Sequence, residues 1–259
     1  MTPAHIENIR LYVIKRAIED RDLELQAAKN INPKRTAREI QMIKHLSTLL
    51  FMLAATMQAF SQAPKEQEPW NVPQGWSYVL NVGPPEIYQF GTSSEVGKTM
   101  EIHTHGNAGI LARDVSLENA DDVTVSWDWQ VDTLPSEVTE EIADTHDYLS
   151  VAVLFDNGQD ISYVWSSGLE EGMVFRCPLP DWADKETHVV IRSDPSELGK
   201  WLSEERNLKA DYARYIGGEM PSSITQVWLI SNSFFQGGVG KGRVSNISIG
   251  SEGQREKVL

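Results

Sequence analysis

Cysteine is almost absent from this chain. Cys177 stands alone, so no intrachain disulfide can form and stability has to come from a packed core. Set between Arg176 and Pro178, with no histidine or second cysteine close by, it reads as a half-buried structural residue. No unbroken apolar run reaches the roughly 20 residues that a membrane-spanning helix needs. No internal repeat or low-complexity tract stands out. Basic charge is scarce in the larger part: residues 64–259 hold 14 Lys/Arg against 31 Asp/Glu, whereas residues 1–63 hold nine against six. So acidic a surface repels phosphate backbones, which excludes nucleic acid as an expected partner. Neutral sugars, cations and basic partners fit better, although acidity also serves simply to keep a secreted domain soluble. One apparent phosphate loop, GGVGKG over 237–242, lacks the Ser/Thr after its lysine and precedes a strand, so it is expected to be a hairpin turn.

What is present is organised in order along the chain. Residues 42–61 begin with Lys44 and His45, continue through an apolar run from Leu46 to Ala59, and end in small residues. That order is a signal peptide with its cut expected after Ser61, leaving no stable membrane span and placing the mature protein in the periplasm or outside the cell. Residues 1–41 are then an upstream extension ahead of a true start at Met42; the rival is a cytoplasmic helix with an uncleaved anchor. Residues 62–75 form a proline-bearing linker. Residues 76–250 form the folded domain, and 251–259 a disordered tail.

Within the domain, period-two patterns predict strands over 76–82, 98–104, 108–112, 123–131, 148–155, 161–165, 187–192, 224–231 and 243–249. The cleanest is VTVSWDWQV, where Val123, Val125, Trp127, Trp129 and Val131 share one face. Residues 108–112 are expected to pair with 98–104 across Gly106-Asn107. Asn157-Gly158 between two apolar runs predicts a hairpin. Asp194-Pro195-Ser196-Glu197 reads as a helix start, with Leu198, Trp201, Leu202, Leu208, Tyr212 and Tyr215 at helical spacing and Gly217-Gly218 as its end. Many strands with one helix predict an all-β fold, a jelly-roll-like antiparallel β-sandwich with one amphipathic helix.

Several phrases, in order, carry a resemblance: WDWQVDTLP over 127–135, Asp147-Tyr148, SYVW over 162–165, VIRS over 190–193, Trp201, ERN over 205–207, ADY over 210–212, Gly217 and Pro221. Together they resemble the bacterial family called domain of unknown function 3047, from about Met100 to Gly250. The resemblance implies an exported or envelope-associated β-sandwich and no particular activity. The chain departs from the family in one place. An acidic run expected after the penultimate strand reads Ser231-Asn232-Ser233-Phe234-Phe235-Gln236 instead, so two carboxylates are missing and any metal or polar-ligand role of that run is in doubt.

Three sets of residues can carry chemistry. His103 and His105, two apart on a strand, point the same way at about 7 Å, which suits a metal or an acid–base pair, or simply a surface near a turn. Tyr163 and Trp165 share a strand face, and Phe234 and Phe235 lie beside Asn232. Aromatic rings flanked by amides form sugar platforms, although Trp127 and Trp129 read as core. Asp147, Tyr148, Arg192, Glu205, Arg206 and Asp211 are the polar residues of the resemblance. Arg192 with Glu205 or Asp211 makes either a structural ion pair or a cleft gripping a substrate carboxylate.

The first functional expectation is therefore a non-catalytic carbohydrate-binding or envelope interaction module using Asp147, Tyr163, Trp165, Arg192, Glu205 and Asn232. The second is a lyase on uronic-acid polymers using Tyr148, Arg192 and His105. A purely structural partner-binding protein is the third. The expected partner is a glycan or envelope component. No cofactor is expected, calcium being the one ion left open.

Overall fold

The computed structural model describes residues 72–118, 122–142, 148–180, 182–234 and 236–259. Thirteen strands build two sheets: β1 (Ser77–Val82), β2 (Tyr88–Ser93), β3 (Gly97–His105), β4 (Ala108–Glu118), β5 (Thr124–Thr133), β6 (Leu149–Phe155), β7 (Asp160–Trp165), β8 (Val174–Arg176), β9 (Glu186–Arg192), β10 (Leu202–Asn207), β11 (Ser223–Asn232), β12 (Val239–Ser251) and β13 (Gln254–Lys257). A seven-stranded sheet runs β1-β4-β11-β6-β7-β9-β8 and a six-stranded sheet β10-β5-β12-β3-β2, with β13 paired to β12. All pairs are antiparallel except β7 with β9. The expectations for residues 1–71, the export segment among them, lie outside the described residues.

The alternation along β5 works as expected. Val125, Trp127, Trp129 and Val131 are each at most 1% exposed and face the other sheet. Trp127 meets Tyr163 at 5.4 Å and Trp129 meets Trp165 edge-on at 5.2 Å. In β6 and β7 nearly every residue is buried, so both faces are covered. On the far face Trp182 lies edge-on to Trp228 at 6.3 Å, and the segment between β8 and β9 folds back over it. Cys177, in that segment, is fully buried rather than half-buried. The hairpin at 156–160 forms, with Gly158 alone taking the left-handed turn (φ 81°) and the Asn157 side chain accepting from the Gln159 amide.

Four expectations are corrected. β3 and β4 do not pair across Gly106; the chain changes sheets there, β3 joining β2 and β12 and β4 joining β1 and β11. Residues 237–242 make no hairpin turn, because β11 and β12 lie in different sheets and β12 already begins at Val239. There Gly240 is demanded by close approach: a Cβ would fall 2.0 Å from Cε2 of Tyr148. The long helix after Asp194 is three elements. Asp194 caps only a 3-10 turn (Pro195–Glu197). Then β10 alternates, with Leu202, Glu204 and Arg206 half-buried and Ser203, Glu205 and Asn207 exposed. Only Leu208–Tyr215 is α-helix, α1, capped by Asn207. Finally, residues 251–259 are no loose tail. β13 pairs with β12, and Val258 and Leu259 are buried, both donating their amides to the Ile247 carbonyl.

Candidate ligand-binding face

The fold scatters the residues expected to form a site. Tyr148, Tyr163 and Trp165 point between the sheets, each at most 1% exposed, so they belong to the core and offer no ligand platform. The Tyr148 hydroxyl donates to the Thr133 carbonyl at 2.9 Å, and burial raises its pKa far above the ordinary phenol value. The Tyr163 hydroxyl donates to Asp211 at 2.9 Å, burial again pushing the phenol well up. Asp211 also accepts both arms of the Arg206 guanidinium, at 2.8 and 2.9 Å. This pair ties α1 and β10 to β7.

Arg192 is tied too. Its Nε donates to Glu204 at 2.7 Å and its Nη1 to Glu197 at 3.0 Å, while Trp129 Nε1 shares Glu204 at 3.2 Å. The partners are therefore Glu204 and Glu197, not Glu205 or Asp211, because β10 is a strand and turns Glu204 inward. Glu205 is exposed on the opposite side, 3.5 Å from Arg255. Asn232 is buried and caps its own turn by accepting from the Phe234 amide at 2.9 Å. Asp147 and Phe235 lie outside the described residues. Tyr148, Arg192 and His105 are not brought together: the first is core, the second a sheet-to-sheet tie, the third on an outer face.

A polar cluster that sequence reading passed over lies on the covered face of the seven-stranded sheet. Ser162 donates to Asp160 at 3.2 Å and to Glu186 at 3.5 Å, His188 is 3.9 Å from Glu186, and Phe175 stacks on His188 at 4.6 Å. All four polar residues are buried, which makes the cluster part of the interior.

The outer face of the six-stranded sheet is different, being built almost wholly of polar side chains and left open. Across its middle, Gln130 donates to Asp132 at 2.8 Å and to the Gly199 carbonyl at 3.0 Å. Asp132 also accepts from Arg243 at 3.0 Å, and Thr99 donates to Glu101 on the far side of Arg243. One row along, Asp128 accepts from Ser203 at 2.5 Å and Asn246 at 2.7 Å. Asn246 holds a left-handed backbone (φ 50°) at the bulge where β12 slips against β5. That conformation disfavours most side chains, asparagine least, and it brings the amide to Asp128. Arg255 reaches Thr124 and Ser126 at 2.7 and 2.8 Å at the next edge. Glu205 shares this face, beside Ser126.

At the opposite end, His103 and His105 stand exposed on β3 with ring centroids 5.6 Å apart, and Lys241 is the register partner of His103 on β12. Partial burial, then the neighbouring Lys241 and His105, lower the His103 pKa. Among the described residues no group of three or more His, Cys, Asp or Glu is placed to hold a metal ion. None of their helices is long and apolar enough to cross a membrane.

Two stacked sheets, almost all antiparallel, with one covered and one open outer face define a β-sandwich of the jelly-roll kind. The sequence profile of the family described as "Protein of unknown function (DUF3047)" matches residues 74–248, and the chain belongs to that family. Among curated proteins none matches the sequence. Similar solved structures include the xyloglucanase domain of NopAA, a type three effector from Sinorhizobium fredii, at 14% identity and TM-score 0.42 over 72% of this chain and 100% of that one. A family 11 carbohydrate-binding module from Clostridium thermocellum matches at 14% and 0.34 over 70% and 92%. The enzymatically active domain of bacteriophage CBA120 tailspike protein 4 matches at 10% and 0.36; the chain covers only 20% of that protein's length, against 70% of its own.

Proposed function

We propose that this protein is an exported, non-catalytic glycan-binding module whose ligand lies across the outer face of the six-stranded sheet. The observation that carries the reading is the pre-set polar grid around Arg243. Gln130, Asp132, Glu101, Asp128 and Asn246 are held by one another on a rigid sheet, so a ligand meets oriented donors and acceptors at little cost in side-chain ordering. Five adjacent strands span about 19 Å at the usual spacing, enough for an oligosaccharide. Sugar hydroxyls both donate and accept, and hydrogen bonds to charged partners are the stronger ones. Each carboxylate on the grid already accepts from a fixed neighbour, which suits holding a ligand more than transferring protons. Export rests on the signal-like segment 42–61.

The test is affinity electrophoresis of the full chain through gels containing neutral and acidic polysaccharides, with Arg243→Ala and Asp128→Ala beside the parent. Both side chains lie at the surface, so the variants are expected to stay folded and to lose retardation. A protein that no polysaccharide retards, or variants that run like the parent, would refute the proposal.

A further inference from the structure

Cationic groups are rare in this domain, and four of its arginines are answered by carboxylates. On the two sheets Arg243 faces Asp132 and Glu101, Arg255 faces Glu205, Arg206 faces Asp211, and Arg192 faces Glu204 and Glu197. The Lys98 ammonium sits 3.8 Å over the Phe90 ring. Lys241, like Lys257 on β13, is not among these. It is exposed, has no ion pair or side-chain hydrogen bond with the described residues, and stands beside His103 with His105 next along β3. Its other cross-strand partner is Thr133, and Val239, 43% exposed, pairs with His105. Among the described residues no carboxylate shares these rows; the nearest charged row is that of Glu101, Arg243 and Asp132. Three basic side chains crowd one end of an otherwise acidic domain.

We infer that this end of the face receives the carboxylate of a uronate residue, the Lys241 ammonium pairing with it while His103 and His105 offer ring N–H groups and Val239 lies against the sugar's C–H surface. The inference rests on the glycan reading above and names its ligand class: polysaccharides in which uronates are interspersed with neutral sugars. A metal cation is disfavoured, because Lys241 would repel it beside the two imidazoles. A nucleic acid or a polymer charged at every unit is disfavoured too, since Glu101, Asp132, Asp128 and Glu205 flank the rest of its path. The His103 pKa is lowered first by partial burial and then by Lys241 and His105, the part that an arriving anion relieves.

The test uses the full chain with glucuronoxylan, gellan and hyaluronan, each beside its carboxyl-reduced form, and with a single-stranded oligonucleotide. Binding to at least one native polymer is expected, weakened about tenfold both by carboxyl reduction and by Lys241→Gln, and largely kept in Lys241→Arg. Lys241→Gln touches no packed group and should melt with the parent. Equal binding of native and reduced polymers, full affinity in Lys241→Gln, or equal binding of the oligonucleotide overturns the uronate assignment while leaving the glycan reading in place. Absence of binding to every polysaccharide, charged or neutral, brings down the glycan reading and this inference with it.

Discussion

Replacing Trp165 with alanine separates a core role from a ligand role more sharply than any other change. The indole is 1% exposed, packs edge-on against Trp129 at 5.2 Å, and sits on a strand hydrogen-bonded on both sides. A buried tryptophan removes on the order of 200 Å² from water, worth about 5 kcal/mol at 25 cal/mol per Å². Truncations of this kind cost about 3–5 kcal/mol in practice, because the site collapses only in part. For a domain of this size each kcal/mol moves the midpoint by about 2–4 °C, so Trp165→Ala should melt about 10–15 °C lower. Calorimetry, with urea titration to confirm an unchanged m-value, measures the shift. Trp165→Phe should fall between. A midpoint within about 3 °C of the parent, with polysaccharide retention lost, would place the indole on a ligand surface and refute the packing described here.

Gly240→Ala drives a methyl into the Tyr148 ring and strains its bond to Thr133, costing about 2–4 kcal/mol by overpacking and a weakened hydrogen bond. In the Tyr148→Ala background most of that cost should vanish, which a double-mutant cycle by denaturant titration reads directly. Asp211→Ala leaves the buried Tyr163 hydroxyl and the Arg206 guanidinium without their shared acceptor, a loss of about 3 kcal/mol by the same titration; Asp211→Asn should lose less. Glu140 is buried against Ser166 and Ser167, and desolvation raises its carboxyl pKa from near 4.5. The folded state therefore holds that proton more tightly. The resulting stability is fully present below the unfolded value and fades as pH rises through the folded one. Relative to Glu140→Gln, the parent should melt progressively lower as pH rises from below about 4.5 through the raised folded-state value; a pH-independent difference would show that Glu140 does not titrate.

Much of the sandwich was legible because β5, β6 and β7 carry either strict alternation or an unbroken apolar run. β10 was not. Its inward side chains include Glu204 and Arg206, which spend their charge on Arg192 and Asp211, so the apolar beat that marks a strand is missing and nearby Leu and Trp residues mimic helical spacing. β13 escaped for the same reason, being an all-polar edge whose neighbours Val258 and Leu259 do the anchoring. At the site, period two told correctly that Tyr163 and Trp165 share a face, but not which face is inside. His103 and His105 could be seen as a pair, whereas Lys241, from a strand more than a hundred residues away, joins them only through register. Spacing along a chain cannot report that.

The order of strands has a consequence for how the protein comes into being. Among the described residues β11 is the only bridge between β1-β4 and β6-β7-β9-β8, and β12 the only bridge between β10-β5 and β3-β2. Both keystones are made late, with β13 alone among the described strands following them. A nascent chain still lacking residues 223–251 is thus a set of partial sheets, with the two halves of each sheet unjoined and the interior incomplete. Assembly of the sandwich must wait until residues 223–251 have been made, and a chain cut before Ser223 is not a slightly shortened sandwich but prey for proteases.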